Sequence, residues 1–206
     1  MDNSKKIILD LCGGTGAWSK PYSDAGYDVR VITLPDNDVL TYVPPENVYG
    51  ILAAPPCTMF SFARTNAKKP RDLKEGMETV KACLEIIWKF QYGLLNQYSQ
   101  KSTLKFWSLE NPNGHLKYFL GKSAYEFEPY EFGDIYSKKT HLWGWFNFPI
   151  KTHGLEAKTI ETKWDHRLMP EIRSIGDNIF RDKATRQELR SITPAGFAQA
   201  FFRANQ

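Results

Sequence analysis

The segment that most restricts the fold is Lys6-Ile7-Ile8-Leu9-Asp10-Leu11, followed at once by Cys12-Gly13-Gly14-Thr15-Gly16-Ala17-Trp18-Ser19. The apolar residues read as a short buried strand. The glycines that follow demand a tight turn, since glycine alone enters positive φ without a Cβ clash. Lys20-Pro21-Tyr22-Ser23-Asp24-Ala25 is helix-like and stops at Gly26, and Tyr27 to Leu34 reads as a second strand. Strand, glycine-rich turn, helix, strand is the opening of a nucleotide-binding α/β unit. There the glycines let a ligand approach the backbone and the helix start offers free N–H groups. The spacing lacks the third glycine of the dinucleotide fingerprint and the lysine of a phosphate-cradling loop, so the turn alone is a weak signal.

A second constrained stretch is Ala54-Pro55-Pro56-Cys57-Thr58-Met59-Phe60-Ser61, entered from the apolar run Tyr49-Gly50-Ile51-Leu52-Ala53. Two prolines fix the turn, because each locks φ and neither donates a backbone hydrogen bond. A cysteine presented after a rigid turn suits a thiolate nucleophile. Free cysteines are also commonly small buried core residues. A third stretch, Leu104-Lys105-Phe106-Trp107-Ser108-Leu109, runs into Glu110-Asn111-Pro112-Asn113-Gly114. Glu110 reads either as a turn acid or as a working carboxyl group.

The coarse order is strand, helix, strand, loop, the strand into Cys57, a long helix from Leu73 to Gln100, and the strand into Glu110. Tyr125 to Phe148 is aromatic-rich and includes a strand at His141 to Phe146. A closing helix spans Pro194 to Ala204, with proline expected at an early helical position. Strands alternating with helices predict an α/β fold with a mostly parallel sheet and helices on both faces. Ligands in such sheets sit beyond the C-terminal strand ends. Asp10, Pro55 and Glu110 all follow apolar runs, so they are expected to converge at one edge.

Taken in order, these motifs resemble the cytosine carbon-5 DNA methyltransferases. Asp10-Leu11-Cys12-Gly13-Gly14-Thr15-Gly16 is similar to the family's cofactor loop, and Pro55-Pro56-Cys57 with Phe60-Ser61 to its nucleophile motif. Glu110-Asn111-Pro112 is similar to its Glu-Asn-Val motif. Gly133-Asp134-Ile135-Tyr136-Ser137-Lys138-Lys139-Thr140 keeps the spacing of Gly-x-Pro-Gln-x-Arg-x-Arg, and Arg190-Ser191-Ile192-Thr193-Pro194 resembles the last motif. The likeness is collinear over residues 6 to 206. It implies a Rossmann-like methyltransferase fold using S-adenosyl-L-methionine. Cys57 would add to carbon 6 of cytosine and make carbon 5 able to attack a methyl group, which is covalent catalysis. Glu110, with a raised pKa, would hold a proton at ring nitrogen 3. The resemblance places Lys138 with them as a catalytic residue. It implies Asp10, Gly13, Gly14, Thr15, Gly16, Trp18, Asp38, Pro55 and Thr193 as cofactor-binding. It implies Ser61, Lys68, Lys69, Arg71, Asn111 and Thr140 as substrate-binding.

Several positions depart from the family pattern. Cys12 stands where the family usually has phenylalanine, and the second strand ends Ile32-Thr33-Leu34 without the ribose-binding acid. Asp38 instead fits the next cofactor motif. The family's two arginines fall on Lys138 and Thr140, and lysine lacks the bidentate fork of arginine. The family's separate target-recognition domain is replaced by a short basic insert, residues 142–190, carrying Lys158, Lys163, His166, Arg167, Arg173, Arg181 and Arg186. Such a stretch suits phosphate contacts, which give affinity without sequence information. Expected consequences are relaxed sequence preference, recognition by a partner protein, or a substrate other than ordinary duplex DNA.

The 206 residues suit a single catalytic domain with one core. A net charge of +4 permits nucleic-acid binding without requiring it. The sharpest basic cluster, Lys68-Lys69-Pro70-Arg71-Asp72-Leu73-Lys74, follows the Cys57 motif, where phosphate contacts to DNA would be useful. Three cysteines make no disulfide framework, and His115, His141, His153 and His166 show no metal-ligand spacing. Neither a metal nor a membrane partner is expected, and a reducing cytoplasm suits a working thiol. Two alternatives remain open at this level: a catalytically degenerate relative that binds cofactor or nucleic acid, and a methyltransferase acting on a small pyrimidine nucleotide.

Overall fold

A computed structural model describes residues 2–65, 67–93, 103–134, 136–154 and 191–206. The opening apolar run forms β1 (Ile7–Leu11), and the glycine turn leads into a short helix α1 (Lys20–Asp24) with proline in its first turn. Strands β2 (Asp28–Ile32) and β3 (Gly50–Ala53) follow, then the long helix α2 (Leu73–Gln91). Asp72 caps α2, its side chain accepting from the Glu75 N–H at 2.9 Å. The remaining elements are β4 (Phe106–Pro112), α3 (Lys117–Leu120), β5 (Tyr125–Phe127), a 3-10 turn at Pro129–Phe132, β6 (Thr140–Trp145) and α4 (Ala195–Ala204).

The strands form one six-stranded sheet in the order β2-β1-β3-β4-β6-β5. Neighbours from β2 to β4 pair in parallel, while β6 runs antiparallel to both β4 and β5. The fold is therefore α/β with a mostly parallel mixed sheet. Side chains alternate across it, as period-two strands require. Leu9, Leu11, Ile51, Ala53 and Leu109 join Val80, Cys83, Ile86, Ile87 and Phe90 of α2 in one core. Ile8, Leu52, Phe106 and Leu142 join Tyr22 of α1 and Phe197 and Phe201 of α4 in the other. The first core is largely aliphatic. The second is a lattice of rings, with Phe127 stacked on Phe197 at 3.9 Å between centroids and Trp18 edge-on to Phe201 at 5.4 Å.

Three sequence expectations change. The long helix stops at Gln91, nine residues before Gln100: the Tyr92 N–H returns to the Trp88 carbonyl and Gly93 follows at φ +62°, a left-handed exit that ends helices. Residues 94–100 lie outside the described part. Pro194 is the N-cap of α4, one step before the expected helical position. The first residues of the expected insert, Leu142 to Trp145, belong to β6 and pair with β4. The basic residues Lys158, Lys163, His166, Arg167, Arg173, Arg181 and Arg186 lie outside the described residues. No helix among the described residues is long and apolar enough to cross a membrane.

The chain leaves β1 toward β2 on one side and returns to place β3 on the other. Their C-terminal ends thus border a topological switch point, where open α/β sheets leave a crevice.

Candidate active site

The turn after β1 is organised around a buried carboxyl group. Asp10 is fully buried and accepts from the Ser19 hydroxyl at 2.6 Å through Oδ2, while Oδ1 has no hydrogen-bond partner among the described residues. Burial pushes its pKa up to about 6, against the opposing effect of Ser19. Gly13 packs on this carboxyl so closely that an added Cβ would lie 2.4 Å from Asp10 Cγ. The Gly16 N–H returns to the Gly13 carbonyl at 2.9 Å and closes the turn. Cys12 sits at φ +57°, a left-handed conformation costing about 1–2 kcal/mol for a residue with a Cβ. The neighbouring strand helps to hold it there, because the Cys12 N–H donates to the Ile32 carbonyl at 2.8 Å. Trp18 is buried between the turn and α4, with no partner for its indole N–H among the described residues.

The turn after β3 is held from outside. The Cys57 carbonyl accepts from the N–H groups of Phe60 and Ser61, at 2.9 and 2.8 Å, and curls the loop behind the thiol. The Pro55 carbonyl accepts from the buried Asn111 amide at 2.9 Å, fastening the exit of β3 to the exit of β4. Arg71 reaches back from just before α2 and donates to the carbonyls of Met59 (2.9 Å) and Ser61 (2.8 Å). A bridge between Ser61 and Gly114 joins the loop to the segment after β4, with the His115 N–H on the Phe60 carbonyl at 2.9 Å. Gly114 permits this approach: a Cβ there would stand 2.3 Å from the Phe60 oxygen.

Glu110 and Lys138 meet at the end of β4, with Nζ 3.8 Å from Oε1 and both side chains mostly buried. Burial raises the Glu110 pKa, and the Lys138 ammonium opposes the rise without reversing it. Glu110 therefore keeps its proton to higher pH than an exposed glutamate.

These parts line one cleft of about 1410 Å³ at the switch point. Asp10, Gly13, Gly14 and Trp18 border it from the glycine turn, and Asp38 from the loop after β2. Pro55, Cys57 and Ser61 border it from the proline turn, Glu110 and Lys138 from β4 and the approach to β6, and Thr193 from the approach to α4. Other expected site residues are placed elsewhere. Thr15 and Gly16 shape the turn but are not in the cleft wall, and Lys68 and Lys69 are exposed beyond it. Thr140 is buried in β6 with its hydroxyl on the Lys138 carbonyl at 2.7 Å, so it braces the lysine's backbone. Asn111 and Arg71, expected on substrate, spend the bonds described above on the proline turn.

Sequence reasoning missed Ser19, whose place next to Asp10 depends on the turn closing. It also missed Arg64, Asn113 and Ser191 in the cleft wall. Arg64 had a signal in its position between Cys57 and the basic cluster that begins at Lys68. Among the described residues no three His, Cys, Asp or Glu side chains gather as a metal site. No protein-family model matches the chain, and no curated protein aligns significantly with it.

Proposed function

We propose that this protein is an S-adenosyl-L-methionine-dependent methyltransferase acting on carbon 5 of cytosine in DNA through a covalent Cys57 adduct, on a Rossmann-like methyltransferase fold. The observation that carries the reading is that Cys57 and a carboxyl group with a raised pKa, Glu110, border the same cleft as the glycine turn. That cleft lies where parallel strands diverge, the position at which such sheets bind ligands.

The cofactor's expected residues fit a polar ligand with a bulky base. The Asp10 Oδ1 and Trp18 Nε1 atoms are buried, have no partner among the described residues and belong to cleft-lining residues. Buried polar atoms ordinarily find partners, so a ligand that supplies them is favoured. Gly14, with open space where a Cβ would stand, offers open backbone beside them, and Gly13, Asp38 and Thr193 also line the cleft. When bound, S-adenosyl-L-methionine supplies an electrophilic methyl group.

The chain's own residues account for the rest. The Cys57 thiolate adds to carbon 6, and electron density moves toward carbon 5 and ring nitrogen 3. Glu110, kept protonated by burial, donates to nitrogen 3 as that charge builds. Lys138 limits how far the Glu110 pKa rises, which keeps the carboxyl able to give and recover its proton. Once carbon 5 carries the methyl group, loss of its proton to solvent and expulsion of the Cys57 thiolate restore the aromatic ring, Glu110 recovers the nitrogen-3 proton, and the enzyme is free. The base must leave a stacked duplex to reach Cys57, so flipping or an unpaired substrate is required.

The test is transfer of a tritiated methyl group to duplex DNA, single-stranded DNA, RNA and free cytidine nucleotides. Incorporation into DNA that falls by more than about a thousandfold in Cys57→Ser is expected, on the scale at which removing a catalytic nucleophile acts. Transfer that survives Cys57→Ser, or that occurs only on nucleotides, overturns the reading as stated.

A further inference from the structure

Next to the proline turn lies a surface that the reaction does not use. Phe62, in the cleft wall, is 40% exposed and meets His115 edge-on at 4.9 Å between ring centroids. His115 in turn lies 6.0 Å from Tyr118, which is 70% exposed. Lys117 sends its ammonium over both outer rings, 5.3 Å from Phe62 and 5.5 Å from Tyr118. Phe119, 49% exposed, anchors this segment on the buried Phe60 of the nucleophile loop. Phe62, His115, Tyr118 and Lys117 make a continuous aromatic and cationic surface that starts in the cleft wall and runs outward from it. They leave apolar surface in water, which ordinarily marks a binding site.

Charge identifies the occupant. Residues 61–71 contain Arg64, Lys68, Lys69 and Arg71 and no acid, and residues 113–122 contain Lys117 and Lys122 and no acid. The Arg64 guanidinium donates to the carbonyls of Lys69 and Pro70, so the basic part of the loop folds back toward the Phe62 end. Rings interleaved with cations are the surface on which unpaired bases stack while phosphates meet lysine and arginine. A paired duplex hides its base faces, whereas an unpaired strand offers one at every nucleotide.

We propose that Phe62, His115 and Tyr118, with Lys117, form a stacking platform for an unpaired nucleic-acid strand, holding the bases that flank the target in the cleft. This rests on the reading of the cleft as one that acts on a nucleobase. The platform is fastened to the nucleophile loop through the Ser61–Gly114 bridge and the Phe62 N–H on the Asn113 carbonyl at 3.2 Å. A base stacked there would sit on a surface tied directly to the loop that carries Cys57. Single-stranded substrate, or a locally opened duplex, is then the preferred class.

The test uses the full chain and short fluorescein-labelled oligonucleotides: a single-stranded deoxy strand, its ribo counterpart and the blunt duplex. A second set carries 2-aminopurine, whose fluorescence falls on stacking. The wild type should bind a single strand more tightly than the duplex and quench 2-aminopurine. Phe62→Ala and Tyr118→Ala should each lose about tenfold in affinity, within the range for one base–aromatic stack, together with the quench. Phe62→Tyr and Tyr118→Phe should retain both, with melting temperatures checking the fold. Lys117→Ala should lower the salt slope of binding by about one. The deoxy and ribo arms name the polymer. Ring variants that bind and quench like the wild type, or a duplex bound more tightly than the strand, overturn the platform. Methyl transfer measured on the same preparations separates the two claims. Transfer with indifferent ring variants sinks the platform alone, while no transfer on any substrate with ring-dependent strand binding sinks the methyltransferase reading alone.

Discussion

The turn after β1 and the turn after β3 border one cleft but keep their shapes by different means. The first is built from the inside: a buried carboxyl, a serine hydroxyl and a glycine with no room for a Cβ. The second is built from the outside, by an arginine from the approach to α2, an asparagine from β4 and a bridge to the segment beyond it. An internally braced turn presents backbone and buried polar atoms, which suits a ligand held deep and in one orientation. An externally clamped turn takes its shape from neighbouring elements, which suits a nucleophile that must hold one position while a strand enters and leaves. The two ends of the cleft are thus prepared for different tasks before any ligand arrives.

The comparison can be broken first at the proline end. Glu110→Gln keeps the shape of the side chain but removes the proton it can give up, and kcat should fall by about a hundredfold to ten-thousandfold, the usual range for a positioned acid. Cofactor affinity, assigned to the other turn, should hardly change. Equilibrium titration beside steady-state kinetics checks both.

The glycine end can be tested through its buried acid. The folded Asp10 pKa, about 6, lies above its ordinary value of 3.8. The folded state therefore binds the proton more tightly, and stability is full below about 4 and lost as pH rises through about 6. Asp10→Asn carries no such dependence. Its stability relative to the wild type should rise across that window by up to about 3 kcal/mol, the free-energy equivalent of the shift. Urea unfolding at several pH values measures it, and parallel curves for the two proteins would contradict it.

A pair of glycine substitutions sharpens the contrast. In Gly13→Ala the new methyl collides with the Asp10 carboxyl, and in Gly114→Ala with the Phe60 carbonyl. Such overpacking typically costs about 1–3 kcal/mol. Gly13→Ala should weaken cofactor binding about tenfold and spare oligonucleotide binding, and Gly114→Ala should do the reverse. Loss of both functions in either variant would mean that the turns are not independent. The smallest expected effect belongs to Lys138→Met. Removing the ammonium that opposes the Glu110 shift should move the high-pH limb of kcat upward, because the carboxyl then keeps its proton longer.

The parallel strands β1, β3 and β4 were legible in the sequence because each is an apolar run bounded by glycine, proline or polar residues, and a buried strand leaves that mark. The meeting of Asp10, Cys57 and Glu110 at one edge followed from the same runs, since parallel strands bring their ends together. The bracing was not legible. Arg71 stands in a basic cluster and reads as a phosphate contact to substrate. Only the fold brings it within reach of two carbonyls ten and twelve residues upstream in the chain. Asn111 likewise reads as a site residue from its motif. Its hydrogen bond to Pro55 depends on strands that are neighbours in space and distant in sequence. The end of α2 was missed because apolar spacing continues past Gln91, while a left-handed glycine decides the exit.

Cys12 and Cys57 both border the cleft, and Cys83 lies behind Cys12 in contact with it, its thiol pushed to higher pKa by that contact and by burial. The Cys12 sulfur is therefore turned toward Cys83 and the core, and an alkylating reagent entering the cleft meets Cys57 at the proline turn. A molecule seated against the proline turn would shield that sulfur, and one seated only against the glycine turn would leave it open. The rate at which Cys57 is alkylated thus becomes a built-in gauge, reporting whether a tested ligand reaches the proline end of the cleft.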